Sequence, residues 1–218
     1  MDEIDQIRQY KDRLRIFLIL FFFSDEYEDV NNPHFKKTFK SEVKIQKIDF
    51  LLRNPDYLAY ELLLFAKQGK FCASEIKCIV ADIFKNKEPI LRKLEMEKFF
   101  FGAYEDIDDV ISFLKSINFI SFTSKKNAGL LTVEKIYYIT DYALSKVQFD
   151  LAEVTSLQWH IDRCKLIKYY FGDLSGTQLK AMQYQIDEYR NTSYKDYIGD
   201  IQVSVREKYT SLYGEVLP

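Results

Sequence analysis

Five residues in this 218-residue chain are best suited to metal binding or nucleophilic chemistry: Cys72, Cys78, Cys164, His34 and His160. His160 and Cys164 lie four positions apart, so on a helix they share a face and supply half of a tetrahedral zinc site. No second pair at ligand spacing completes it. Beside Trp159 and Ile161 the two read as a packed imidazole and a buried thiol. Cysteine–histidine catalysis needs a thiol and an imidazole within hydrogen-bond reach, and nothing in the spacing brings such a pair together. Of the 33 carboxylates, Asp106, Asp108 and Asp109 cluster where a helix begins, and the positive end of the helix dipole accounts for them. None of the 7 glycines falls in a phosphate-cradling frame, so the chain is not itself an ATPase. The sequence thus assigns no catalytic residue, no cofactor and no metal, which moves weight from enzyme to binding subunit.

Composition points the same way. A formal charge of −2 gives no global attraction to nucleic acid or to an acidic membrane. Hydrophobic residues make up 47 % of the chain, enough for a proper core, and the scarcity of Gly and Pro favours helices. The 16 Tyr and 18 Phe exceed what a core alone calls for, and tyrosine suits subunit interfaces, where a ring is buried while its hydroxyl finds a partner. An odd count of cysteines argues against a disulfide framework and for a reducing cytoplasm. The run Ile16–Phe23 is far short of the ~20 residues that cross a bilayer, and its acidic flanks do not fit a signal peptide. It reads as a buried helix end.

The elements that would position any site are organised around residues 106–147. Ile107, Val110, Ile111, Leu114 and Ile117 recur at helical spacing, and Asn118 follows where a left-handed cap belongs. The period then changes: Phe119–Thr123 and Leu130–Thr140 read as strands around a turn at Ser124–Gly129, and Thr140 caps a short helix, Asp141–Val147. Helix, hairpin, helix in this order is the back half of a winged-helix domain. Upstream, the pattern predicts a helix over Asp2–Phe23, a loop over Ser24–Thr38, and helices over Lys40–Leu52, Asp56–Gln68, Glu75–Phe84 (capped by Ser74) and Pro89–Phe99. Downstream it predicts Asp150–Phe171, a helix from Ser175 carrying Leu179 to Tyr189, and Tyr194–Tyr209. The expected fold is mainly α with a small β-hairpin: a winged-helix core (56–149) flanked by an N-terminal helical segment (1–55) and a C-terminal helical segment (150–218).

A winged helix that reads DNA presents the start of its recognition helix to the groove. Here that start carries Asp106, Asp108 and Asp109, which a duplex with one charge per ~1.7 Å would repel. Lys125 and Lys126 at the hairpin are the candidate backbone contacts of the alternative reading, a winged-helix DNA-binding transcriptional regulator, with Arg92, Lys93 and Lys98 adding to a patch if they converge. The carboxylates favour protein contact.

The segments Tyr169-Tyr170-Phe171-Gly172-Asp173-Leu174-Ser175-Gly176, Gln183 to Thr192 and Tyr197-Ile198-Gly199 resemble the middle component of ABC-three-component systems, which include Lamassu-type bacterial antiphage defence. Arg13-Leu14-Arg15-Ile16, Lys47-Ile48-Asp49-Phe50 and Arg53 to Ala59 are similar to the first half of that group. The resemblance implies a cytoplasmic, non-catalytic accessory subunit bridging an SMC-like ATPase and an effector such as a nuclease, with DNA touched only as part of the complex and no membrane association. Phe171, Tyr184, Tyr189, Arg190 and Tyr197 are the expected partner contacts, because Tyr and Arg commonly anchor such surfaces.

Overall fold

The computed structural model describes residues 3–126, 132–147 and 157–218. In chain order the elements are α1 (Glu3–Phe23), β1 (Asp25–Glu26), β2 (Phe35–Lys40), α2 (Glu42–Arg53), α3 (Pro55–Lys67), α4 (Ala73–Lys85), α5 (Glu88–Leu91), β3 (Glu97–Phe99) and β4 (Gly102–Tyr104). Then follow α6 (Asp108–Ser116), β5 (Ile120–Lys126), β6 (Thr132–Thr140), α7 (Asp141–Lys146), α8 (Gln158–Phe171), α9 (Gly176–Gln183), α10 (Asp187–Asn191) and α11 (Gln202–Tyr213). The protein is mainly helical with a small antiparallel sheet. No helix among the described residues is long and apolar enough to cross a membrane.

These elements fold into two compact units, each drawn from two stretches of chain. Residues 1–49 and 106–177 form the first, and residues 50–105 and 178–218 the second. The N-terminal segment expected from the sequence, 1–55, therefore contributes to both.

In the first unit, α1 buries Ile16 through Leu20 and Phe23, as an all-round apolar helix end must. It packs on α6 and α8, with Phe17 and Phe119 ring centroids 5.0 Å apart and the Arg13 guanidinium 3.8 Å from the Phe113 centroid. The sheet runs β1-β2-β6-β5, antiparallel throughout. Register places Phe39 and Phe122 on either side of Tyr137, and Ile120 opposite Ile139, so one face of the sheet is apolar and buried. Asn118 takes the expected left-handed conformation (φ 65°), and the Thr140 hydroxyl accepts from the Ala143 amide at 3.1 Å while donating to the Asn118 carbonyl at 2.7 Å. That pair of bonds stops the hairpin and starts α7 in one residue.

Among the buried polar residues of this unit is Arg15, which forms an ion pair with Asp49 and a second, at 2.7 Å, with Asp12. Both Arg15 and Asp49 are almost fully enclosed. An isolated charge in that position would be heavily penalised, so removing either partner is expected to be strongly destabilising.

The second unit is built on α3, which presents Tyr57, Leu58 and Leu62 inward with Val80 and Ile83 of α4 and Val205 and Tyr209 of α11. Phe50, Tyr57 and Tyr189 meet edge to face at 4.7 and 5.1 Å. Asp56 accepts from the Ile201 amide at 2.8 Å and Tyr57 donates to the Gly199 carbonyl at 3.1 Å, fixing the approach to α11. The Arg53 guanidinium donates to the Leu94 and Glu95 carbonyls and pairs with Glu105.

Several sequence expectations change. The loop over Ser24–Thr38 contains β1 and the start of β2, because Phe35–Lys40 finds a partner in β6 that no local signal reveals. Ser124–Lys126 continue β5 instead of turning, and the rest of the expected turn, 127–131, lies outside the described residues. Cys72, not Ser74, occupies the cap position of α4, and no side chain caps it. The helix expected over Pro89–Phe99 stops at Leu91; Glu97–Phe99 pairs with Gly102–Tyr104 instead, the chain turning through Gly102 at φ 94°. The helix from Ser175 to Tyr189 is two, since Ile186 is extended between α9 and α10. Residues 194–201 are not helical, and α11 begins only at Gln202. Residues 150–156 of the expected long helix lie outside the described residues, and α8 follows from Gln158.

Candidate interaction surface

The sequence Phe99-Phe100-Phe101-Gly102 places three phenylalanines at the tip of the β3–β4 hairpin, where the turn leaves two of them without cover. Phe100 and Phe101 are 72 % and 70 % exposed. The chain from Tyr194 to Ile198 lies along the other side of β3, with Glu97 bridged to Tyr197, and brings Tyr194 and Tyr197 to the same hairpin. The Phe100 ring lies 4.6 Å from Tyr194 at 31°; Phe99 meets Tyr194 at 5.0 Å and Tyr104 at 5.5 Å. Tyr194, Tyr197 and Tyr104 are themselves exposed. Singly, an exposed aromatic is ordinary; five around one hairpin mark a surface that gains by being covered.

Cations border these rings. The Lys180 ammonium stands 4.7 Å from the Phe101 centroid and 5.6 Å from Tyr184. Lys98 donates to the carbonyls of Arg190 and Thr192 at 2.6 and 2.7 Å, and Arg190 pairs with Asp187. Lys195 sits at a turn with φ 67°, its amide donating to the Lys98 carbonyl at 2.8 Å and its ammonium 5.7 Å from the Tyr194 centroid.

Of the partner contacts expected from sequence, Tyr197 and Arg190 are exposed on this surface, and Tyr184 is half-buried beside it. Tyr189 and Phe171 are core residues and present nothing to a partner: Tyr189 lies in the aromatic centre of the second unit, and Phe171 is fully buried at the end of α8 in the first. Tyr189 nevertheless shapes the hairpin, because its hydroxyl accepts from the Ala103 amide at 2.7 Å and so closes the outer edge of β4. Sequence reasoning missed Phe100, Phe101 and Tyr104 by assigning no element after a helix that ended at Phe99, and Tyr194 by placing it in a helix. The available signal was an aromatic run ending in glycine with no helical period.

In the first unit, Lys125 is exposed on β5, across from Glu134 in register, and Lys126 closes that strand. The acidic start of α6 is partly answered from within: Lys135 of β6 reaches Asp108 and Glu42, each at 3.0 Å, and Asp106 accepts from the Asp108 amide. Cys164 is fully buried, and burial pushes its thiol up to about 12, which leaves it inert. Among the described residues no group of three or more His, Cys, Asp or Glu gathers as metal ligands would.

A second feature belongs to the second unit. A cleft of about 350 Å³ between α3 and α11 is lined by Tyr60, Lys67, Ser204, Lys208 and Ser211, with the Lys208 ammonium 4.4 Å from the Tyr60 centroid. The next residue of α3, Glu61, is buried, and neither of its carboxylate oxygens meets a donor among the described residues. Burial pushes this carboxyl up to about 8, against the opposing pull of Lys208 and Lys70.

No protein-family model matches the chain, and neither a curated protein nor a solved structure does.

Proposed function

We propose that the chain is a non-catalytic accessory subunit of a bacterial antiphage defence complex, bridging an SMC-like ABC ATPase and an effector such as a nuclease. The observation that carries the docking role is the exposed aromatic hairpin, Phe100, Phe101, Tyr104, Tyr194 and Tyr197, bordered by the cations Lys180 and Lys195. The defence assignment comes from the sequence resemblance alone.

The first unit supports the winged-helix reading in a form the sequence did not anticipate. Its helix, strand, helix, helix, strand, strand succession is α1, β2, the start of α2, α6, β5 and β6, with sheet order β2-β6-β5. Residues 50–105 intervene between the second and third of those helices. Asp109 stays exposed at the start of α6, which keeps a duplex backbone away from it and favours protein as the contact of this unit as well.

The test is purification of the tagged chain from its native host with identification of what comes with it by mass spectrometry, followed by co-expression with any SMC-like ATPase and effector recovered. Copurification of all three, lost on Phe100→Asp with the fold retained by circular dichroism, is the expected result. A chain that stays monomeric and shifts duplex DNA in a salt-dependent way, weakened when Lys125 and Lys126 become alanine, overturns the proposal in favour of the regulator.

A further inference from the structure

We infer that the aromatic hairpin receives an acidic, apolar peptide segment of a partner protein, with apolar side chains seated on Phe100, Phe101 and Tyr194 and carboxylates met by Lys180 and Lys195. This rests on the docking role proposed above and adds the chemistry of what docks.

Main-chain pairing is not available to a partner here. The outer edge of β3 is occupied by the chain itself: the Lys98 amide donates to Asp196 at 2.9 Å, the Lys195 amide to Lys98 at 2.8 Å and the Ile198 amide to Met96 at 3.1 Å. On the outer edge of β4 the Ala103 amide is held by the Tyr189 hydroxyl. Strand addition, the usual way an exposed hairpin captures a peptide, would have to break these bonds. Recognition therefore runs through side chains.

The charges around the rings are unequal in what they leave unanswered. Arg190 is paired with Asp187, and Lys98 is engaged by two carbonyls. Lys180 and Lys195 meet rings but no carboxylate among the described residues. A ring covered by an incoming apolar side chain lowers the local dielectric, and both ammoniums then gain from a carboxylate brought with it. A polyanion is a poorer match. Glu97 stands on β3 itself and Asp196 is exposed beside Lys195, so an evenly charged phosphate backbone would meet both signs, whereas a peptide places its acids only opposite the lysines.

Lys195 carries the second observation. At φ 67° Lys195 holds a left-handed backbone conformation that glycine adopts without strain. Its presence between Tyr194 and Tyr197 is accounted for if the side chain is used.

The experiment is selection of a random peptide library displayed on phage against the full chain, with counter-selection on the Phe100→Ala, Phe101→Ala variant. Enriched peptides are expected to combine leucine, phenylalanine or tryptophan with Asp and Glu, and to lose affinity about tenfold on Lys180→Glu, equivalent to about 1.4 kcal/mol. Lys195→Gly is expected to hold or raise the melting temperature while weakening the same peptides severalfold, a split that a purely structural lysine does not produce. Enriched peptides that are neutral or basic, or affinity untouched by both lysine substitutions, overturn the acidic assignment while leaving the docking role standing. No enrichment over the Phe100→Ala, Phe101→Ala variant removes both. Tighter binding of oligothymidylate than of any selected peptide, or a dimer in sedimentation that Phe100→Ala dissolves, also overturns the proposal, naming a nucleic acid or a second copy as the occupant.

Discussion

Glu61→Gln is expected to make the protein more stable above neutrality and to leave it nearly unchanged in mild acid. Glu61 is enclosed to 1 % exposure on α3, and the protonated form dominates until about pH 8, against 4.5 for an unperturbed glutamate. Folding therefore takes up a proton at this site throughout the interval between those values. The sign follows: a carboxyl raised on folding costs nothing below 4.5, where both states are protonated. Above that its contribution to stability falls by about 1.4 kcal/mol per pH unit until it levels off near 8. Between about pH 5.5 and pH 7.5 the wild type loses about 3 kcal/mol that the glutamine variant keeps. At a urea slope of about 2 kcal/mol per M, this is a divergence of about 1.5 M in midpoint. Urea titrations of both proteins by far-ultraviolet circular dichroism at the two pH values measure it, and referring the variant to the wild type at each pH cancels every other titrating group. Midpoints that move in parallel refute the reasoning, because they mean the folded carboxylate is ionised and compensated.

Three other outcomes follow from the same structure. Asp49→Ala leaves the Arg15 guanidinium enclosed with only Asp12 and is expected to destabilise the first unit by about 3–5 kcal/mol, read from Trp159 fluorescence in urea, since the single Trp lies in that unit. A loss under about 1 kcal/mol would show that the pair is hydrated. Cys72 is expected to react fastest with a disulfide reagent, because the Ser74 hydroxyl and the amides of Ser74 and Glu75 hold its thiol below the ordinary range, while Cys164 stays silent until denaturation. Cys72→Ser removes the fast phase; survival of that phase assigns it to Cys78. Lys135→Met is expected to cost about 1 kcal/mol, a modest loss because all three side chains reach solvent, and Trp159 fluorescence again reports it.

The elements that could be read from sequence are those whose reasons are local. The stripe of Ile107, Ile111 and Leu114, the cap at Thr140 and the left-handed Asn118 each follow from a few adjacent residues, and each is present. What escaped depends on partners distant in the chain. Phe35–Lys40 buries only Phe39 fully and alternates poorly, so it is a strand because β6 lies beside it, about a hundred residues later. The hairpin at 97–104 failed for a different reason: Pro89 opens a helix as expected, but Leu94 is drawn to the Arg53 carbonyl and the helix ends after one turn. The candidate surface inherits that error. Tyr197 and Arg190, flagged by residue type alone, are exposed, whereas Tyr189 was selected by the same rule and belongs to the core. Residue type names the material of an interface; only burial separates the tyrosine that packs from the one that waits.

The discontinuity of the first unit bears on how it is held together. The first unit sends its chain away within α2 and regains it just before α6, so its two halves need contacts of their own to stay joined. Lys135 of β6 supplies one, reaching Glu42 at the start of α2 and Asp108 at the start of α6. Within the first stretch, Arg15 holds Asp49, the last residue before the chain departs.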